Sequence, residues 1–140
     1  MHSYVKRFSE WFKLKRILDC RFRVPPKFNE GEIWWCSVGE NVGIEISGKG
    51  IYFRRPVMIL RKLDSYSFIG LPISRTVRSG SWYEHVYINE LVNTVILSQV
   101  RYFDYRRLDK KYLALSVSEI CRIKTSFIRL IINRNKSPAL

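Results

Sequence analysis

The chain contains no apolar run approaching the roughly 18 residues needed to cross a bilayer, so no membrane span is expected. It is poor in cysteine. Cys20, Cys36 and Cys121 are an odd set without metal-ligand spacing, and they read as reduced thiols of a cytoplasmic protein. Histidine is scarcer still. Neither His2 nor His85 has a His, Cys or carboxylate at a recognised ligand spacing, so no metal site and no cofactor is expected. His85 reads as an ordinary hydrogen-bonded strand residue. No G-x-S-x-G nucleophile elbow is present. The opening MHSYVKRFSEWFKLKR carries charge throughout and has no apolar h-region, which excludes a secretory signal. Low-complexity tracts, linkers and internal repeats are absent too.

Acidic residues are also few: 12 Asp and Glu stand against 25 Lys and Arg, a net charge of +13. Residues 1–27 hold a balance of +6, residues 28–90 a balance of zero and residues 91–140 a balance of +7. The positive field therefore comes from both ends of the chain and makes a polyanion, above all nucleic acid, the leading partner class. A membrane surface fits less well, because no segment forms the sharply two-faced basic helix it requires. An apolar fraction of 46% in 140 residues supports one folded domain with a modest core.

Periodicity divides the chain. Tyr4, Phe8, Trp11, Phe12 and Leu18 fall near one face at helical spacing, which predicts an amphipathic helix over 4–19. Pro25-Pro26 ends it. Residues 1–27 thus read as a basic helical extension that packs on the rest or pairs with a partner, ahead of a domain over 28–140. Short strand patterns follow at 33–38, 56–60, 68–73 and 82–88, and residues 93–103 are long enough for one bent strand or two. Ser116 and Glu119 have capping-box spacing before Ile120, Ile123, Phe127, Leu130 and Ile131, which predicts a closing helix. Several short strands with no helix between them argue for a small antiparallel barrel or sandwich, a mainly β fold with helices at its ends.

One apparent phosphate-binding motif fails. Gly43 to Gly50 matches G-x-x-x-x-G-K but continues with Gly where a P-loop needs Ser or Thr, and a strand pattern follows instead of a helix. Polar groups gather instead at loop–strand junctions, where ligand sites of small barrels collect. Asn41, Glu45 and Lys49 lie in the glycine-bearing loop, Arg54 and Arg55 open a strand, Ser74 and Arg75 end another, and Ser98, Gln99, Arg101 and Asp104 sit on the last strand segment.

The ordered set GEIWWCSVGENVGIE, RRPVMIL, LPIS and LSQVRYFDYRRL, followed by the closing helix, resembles the MazF/PemK toxin family over about residues 28–131. The resemblance implies an SH3-like barrel and a homodimer. It further implies metal-independent cleavage of single-stranded RNA, here mRNA, and neutralisation by a small antitoxin protein. It makes Arg55 the principal catalytic arginine, Ser74 the catalytic hydroxyl and Glu45 the loop acid. Arg101 and Asp104 match residues used for catalysis or RNA binding, and Asn41, Lys49, Arg54, Arg75 and Gln99 complete the expected RNA contacts. The chain departs from the family pattern at Ile44 and Ile46, where polar residues are usual, in the longer SGKGIYF segment and in residues 1–27. A larger subgroup with a GEIWWCS start shares the last two. Two other readings suit a basic barrel: a non-catalytic module holding RNA or a ribosomal surface, and a CcdB-like topoisomerase-directed toxin on the same fold. Neither needs Arg55 and Ser74 together, which favours the nuclease.

Overall fold

A computed structural model describes residues 4–133, and the expectation for His2 lies outside them. The elements are α1 (Phe8–Cys20), β1 (Glu32–Ser37), β2 (Arg54–Lys62), β3 (Ser67–Ser74), β4 (Tyr83–Ile88), β5 (Leu91–Ile96), β6 (Arg101–Asp104), β7 (Leu108–Ala114) and α2 (Val117–Ile132). All strand pairs are antiparallel, in the order β4-β5-β3-β2-β1-β7. β3 is shared: its start pairs with β6, from Ser67↔Asp104 to Gly70↔Arg101, and its end pairs with β5 at Ile73↔Val95 and Ser74↔Thr94. β5 and β6 are thus two halves of one path, bent at a 3-10 turn over Leu97–Gln99. The bend curls the sheet into a half-barrel.

Three apolar clusters hold it together. Ile33, Met58, Leu71, Ile73, Val86, Val95 and Leu97 pack under α2, which contributes fully buried Ile123. Phe28, Trp34, Val57, Phe68 and Phe103 fill the other end, with Phe68 and Phe103 stacked at 5.1 Å and 10°. Trp11 and Leu18 of α1 close over Phe53. Each such buried side chain contributes about 1.5–3 kcal/mol relative to exposure. Glu32, a buried acid, has its charge matched by Trp34 Nε1 at 2.7 Å, the Asn29 amides at 3.1 and 3.2 Å and Lys111 Nζ at 3.2 Å. Burial pushes the Cys36 thiol well up, which keeps it protonated.

The closing helix begins as its sequence predicts: the Ser116 hydroxyl accepts from the Glu119 amide at 3.2 Å, and Glu119 accepts from the Ser116 amide at 3.2 Å. The first helix differs from expectation. It starts at Phe8, because Tyr4 to Arg7 bond to the 40–50 region and do not take up helical turns. Its inward stripe is buried Trp11 and Leu18 with partly buried Leu14 between them. Phe8 and Phe12 lie about 60° and 100° round the helix from Trp11 and stay 50% and 61% exposed. β7, over LDKKYLA, has no counterpart in the sequence expectations. Its charged run Asp109, Lys110 and Lys111 is exposed, and two register shifts against β1 break any alternation. Among the described residues no helix is long and apolar enough to cross a membrane.

Candidate functional site

The loop between β1 and β2 builds the site. Gly48 donates its amide to Gly39 O at 2.8 Å, and Lys49 and Arg54 exchange backbone hydrogen bonds at 2.8 and 2.9 Å. These bonds fold Gly50 to Phe53 into a tight hairpin, with Phe53 at a φ of 50°. Only glycine fits at position 48, where a Cβ would lie 1.8 Å from the Phe53 carbonyl oxygen. The hairpin delivers Arg55 to a cleft of about 510 Å³. Gly43, Glu45, Ser47, Lys49 and Gly50 line one side of it, and Tyr4, Lys6 and Arg7 line another.

Arg55 is half-buried and fixed by backbone. Its Nε and Nη2 donate to Ser47 O at 2.9 and 2.7 Å, and its Nη1 donates to Ile73 O at 3.4 Å. No carboxylate pairs with it among the described residues. Burial pulls its pKa below the ordinary arginine value, yet guanidinium remains charged. One N–H on each terminal nitrogen is left over, a pair suited to the two oxygens of a phosphate. The β2–β3 register pairs Val57 with Pro72. Continued two residues further, it sets Arg55 opposite Ser74, whose Oγ accepts from the Thr76 amide at 3.2 Å. Ser74 does not line the cleft.

The loop itself is held by two expected site residues. Asn41 Nδ2 donates to Ile46 O at 2.7 Å and Val38 O at 3.3 Å. Gln99 Oε1 accepts from the Ile46 amide at 2.6 Å, and its Nε2 donates to Ile44 O at 3.4 Å. The isoleucines that stand in place of family polar residues thus serve through their backbones, and the Ile44 side chain is 98% exposed. Glu45 lines the cleft, but it is exposed and its carboxylate accepts from the Val42 amide at 2.9 Å. Arg101 donates to Val38 O at 3.2 Å and lies 4.8 Å from the Phe103 ring. Burial lowers its pKa, partly offset by the negative charge of Glu45.

The other expected residues lie elsewhere. Strand alternation turns Arg54 away from Arg55, to pair with Asp109 at 3.0 Å beside α1. Asp104 sits at the far end of β6 from Arg101, capping the next turn and pairing with Arg106 at 2.9 Å. Its carboxyl is held below the usual range, chiefly by the Arg106 side-chain hydrogen bond. Arg75 is exposed and makes no hydrogen bond or ion pair among the described residues. His85 bonds to the Arg78 carbonyl at 2.6 Å, away from the cleft. Among the described residues no three His, Cys, Asp or Glu side chains gather as a metal site. Tyr4, Lys6, Arg7 and Glu40, about 35 residues apart in sequence, carry no local pattern that would have joined them to the site.

A family model described as PemK-like, MazF-like toxin of type II toxin-antitoxin system matches residues 29–131. The chain belongs to that family. The half-barrel is accordingly similar to solved MazF toxins. A MazF from Deinococcus radiodurans is 13% identical with a TM-score of 0.60, over 74% of this chain and 96% of that one. An endoribonuclease in complex with its cognate antitoxin, from a mycobacterial species, is 11% identical with a TM-score of 0.59, over 79% and 100%. The Mycobacterium tuberculosis toxin MazF-mt6 is 15% identical with a TM-score of 0.56, over 71% and 95%. These likenesses establish the MazF-like fold. No curated protein sequence matches the chain. Tyr4, Lys6, Arg7 and α1 precede the segment that matches the PemK-like family.

Proposed function

We propose that this MazF/PemK-type toxin is a metal-independent endoribonuclease acting on single-stranded RNA in the cytoplasm, a homodimer neutralised by a small antitoxin protein. Residues 28–140 are read as the toxin domain and residues 1–27 as its basic extension. The observation that carries the reading is Arg55: a fixed, half-buried guanidinium lining a cleft, tied to two carbonyls and unpaired with any acid among the described residues. A structural ion pair would look different.

The chemistry needs only the chain, its substrate and water. The RNA 2′-hydroxyl attacks the adjacent phosphorus; a 2′-O–P bond forms and the P–O5′ bond breaks, leaving a 2′,3′-cyclic phosphate and a 5′-hydroxyl. Glu45, the carboxylate lining the cleft, takes the 2′ proton, and water returns one to the leaving oxygen. Arg55 stabilises the charged phosphorane through its two remaining N–H groups. Ser74, opposite Arg55 across the β2–β3 pair, donates a hydrogen bond to the phosphate through its hydroxyl. Asn41 and Gln99 position the loop, while Lys49, Arg75 and Arg101 offer charge to the strand.

Purified protein in excess EDTA should cut single-stranded RNA to cyclic-phosphate ends and leave DNA intact. Arg55→Ala should lower the rate by about 100-fold or more. Because Arg55 also ties down Ser47, its variants need a melting curve alongside the rate. Arg55→Lys should cut poorly even after correction for any loss of stability its melting curve shows, since a point charge lacks the planar fork. Wild-type rates from Arg55→Ala would remove the assignment. An inert wild type, freed of antitoxin, would return the chain to the binding-module or topoisomerase-directed reading.

A further inference from the structure

The segment from Tyr4 to Arg7 is fastened to the cleft at several points. Glu40, only 3% exposed, accepts from the Tyr4 hydroxyl at 2.8 Å and from the Arg7 amide at 3.0 Å. Lys6 Nζ donates to Asn41 O and, at 2.8 Å, to Gly43 O. Arg7 Nη2 donates to Gly50 O at 3.0 Å, with the guanidinium 4.3 Å from the Phe53 ring centroid. Arg7 also begins α1, so the docking of Trp11 and Leu18 sets where the segment can lie.

The chemistry of these ties is uneven. The segment is clasped by one buried carboxylate, whose Oε2 accepts from a hydroxyl and a backbone amide of the segment. The Lys6 and Arg7 side chains donate their hydrogen bonds only to carbonyl oxygens. Those carbonyls use two of the three Lys6 N–H groups and one of the five on the Arg7 guanidinium. Two cations thus line the same cleft as Lys49 and Arg55, and neither side chain forms a salt bridge with a carboxylate among the described residues. Charge fixed along a groove with donors to spare suits the backbone of a nucleic-acid strand.

We propose that residues 4–7 form a fixed wall of the RNA groove. Lys6 and Arg7 hold the sugar-phosphate backbone of the strand that Arg55 acts on, and Glu40 is the positioning residue that clasps them. This rests on the RNA reading above and adds binding residues outside the family-matched segment. The wall orders the strand beside the scissile phosphate, so losing it should raise KM for RNA more than it lowers kcat.

The test uses the full chain and a mixed-sequence single strand bearing 2′-fluoro sugars, which lacks the attacking hydroxyl. Affinity is measured between about 50 and 300 mM salt for wild type and variants. The double variant Lys6→Gln/Arg7→Gln should flatten the slope of log K against log salt by about 1.4, about 0.7 for each phosphate of a single strand that is no longer neutralised. Lys13→Gln/Lys110→Gln removes the same charge from exposed positions that do not line the cleft, and should change the slope by less than about half as much. Glu40→Ala separates the wall from simple attraction. It raises the net charge by one, which by attraction alone tightens binding, whereas release of the wall should weaken binding several-fold and flatten the slope. Melting curves verify that each variant folds, and if Glu40→Ala does not, the two double variants decide. Equal slopes for the two double variants, or tighter binding by folded Glu40→Ala, overturn the proposal. If wild type cuts RNA while Lys6→Gln/Arg7→Gln keeps the wild-type slope, the wall falls and the nuclease stands. A wild type that neither binds nor cuts removes both.

Discussion

Replacing Gly39 with alanine should unseat α1, and the atoms packed around it set the cost. Gly39 has a φ of +91°, and a Cβ there would lie 2.4 Å from Trp11 Cε2 and Cζ2 and 2.8 Å from Nε1. Its backbone cannot shift to relieve this, being pinned at the amide by Phe53 O at 3.2 Å and at the carbonyl by the Gly48 amide at 2.8 Å. The Trp11 ring must move. It is 7% exposed, 5.5 Å from the Phe53 ring, and lies under the Arg107 guanidinium at 5.6 Å. The left-handed backbone costs an alanine about 1–2 kcal/mol, and forcing a buried ring from its place costs about 1–3 kcal/mol more. The sum, about 2–5 kcal/mol, is a large share of the stability of a small domain. Urea unfolding followed by far-UV circular dichroism measures it without relying on tryptophan emission. The decisive comparison is Gly39→Ala in a Trp11→Ala background, where the clash partner is gone. There the cost should shrink to the backbone part, a coupling of about 2 kcal/mol. Equal costs in both backgrounds would refute the clash.

Sedimentation at micromolar concentration should report a homodimer, and a strict monomer would count against the assembly read from the family. Stability should hold from neutral pH to about pH 5 and fall below about pH 4. The carboxyls of Glu30, Glu32 and Glu40 are all held below their ordinary values. For Glu30 the main cause is its Lys124 hydrogen bond; for Glu32 and Glu40 burial opposes the shift, and donated hydrogen bonds outweigh it. A depressed carboxyl stabilises the fold above its unfolded pKa, and that contribution is lost as pH falls through the folded value. A melting temperature unchanged down to pH 3 would contradict this.

How far the sequence reaches depends on whether the signal is local. The S-x-x-E spacing at Ser116 predicts a helix start because both partners sit within one turn, and the apolar runs of β1, β2, β3 and β5 predict strands because they face the interior, while β4 shows only a partial alternation. The bend near Ser98 is legible as a long β-branched run. β7 is hidden because its exposed charges and bulged pairing erase the two-residue period. Trp34 and Phe53 are buried within the chain, Trp34 in the cluster around Phe68 and Phe103 and Phe53 under Trp11 and Leu18 of α1, long-range contacts that the sequence does not reveal. In the site, Arg55 stands at the strand opening where its motif puts it. Asp104 and Arg101 are close in sequence, yet three residues of extended strand set them about 10 Å apart along β6. The clasp between Glu40 and the Tyr4–Arg7 segment is tertiary throughout, and no spacing rule could join it.

The same charges that conceal β7 also bear on how the molecule behaves in a crowded solution. β7 ends its row of strands: β1 covers one edge, and the other has no strand partner among the described residues. A bare edge is a template on which another extended chain can add, the first step toward fibrous aggregates. Asp109, Lys110 and Lys111 place exposed charge on both faces of that strand, so an incoming strand would have to bury charge to dock. With a net charge of +13, two copies meeting edge to edge also repel one another. An open half-barrel needs such protection where a closed one does not, and the run of charge at the end of its sheet supplies it.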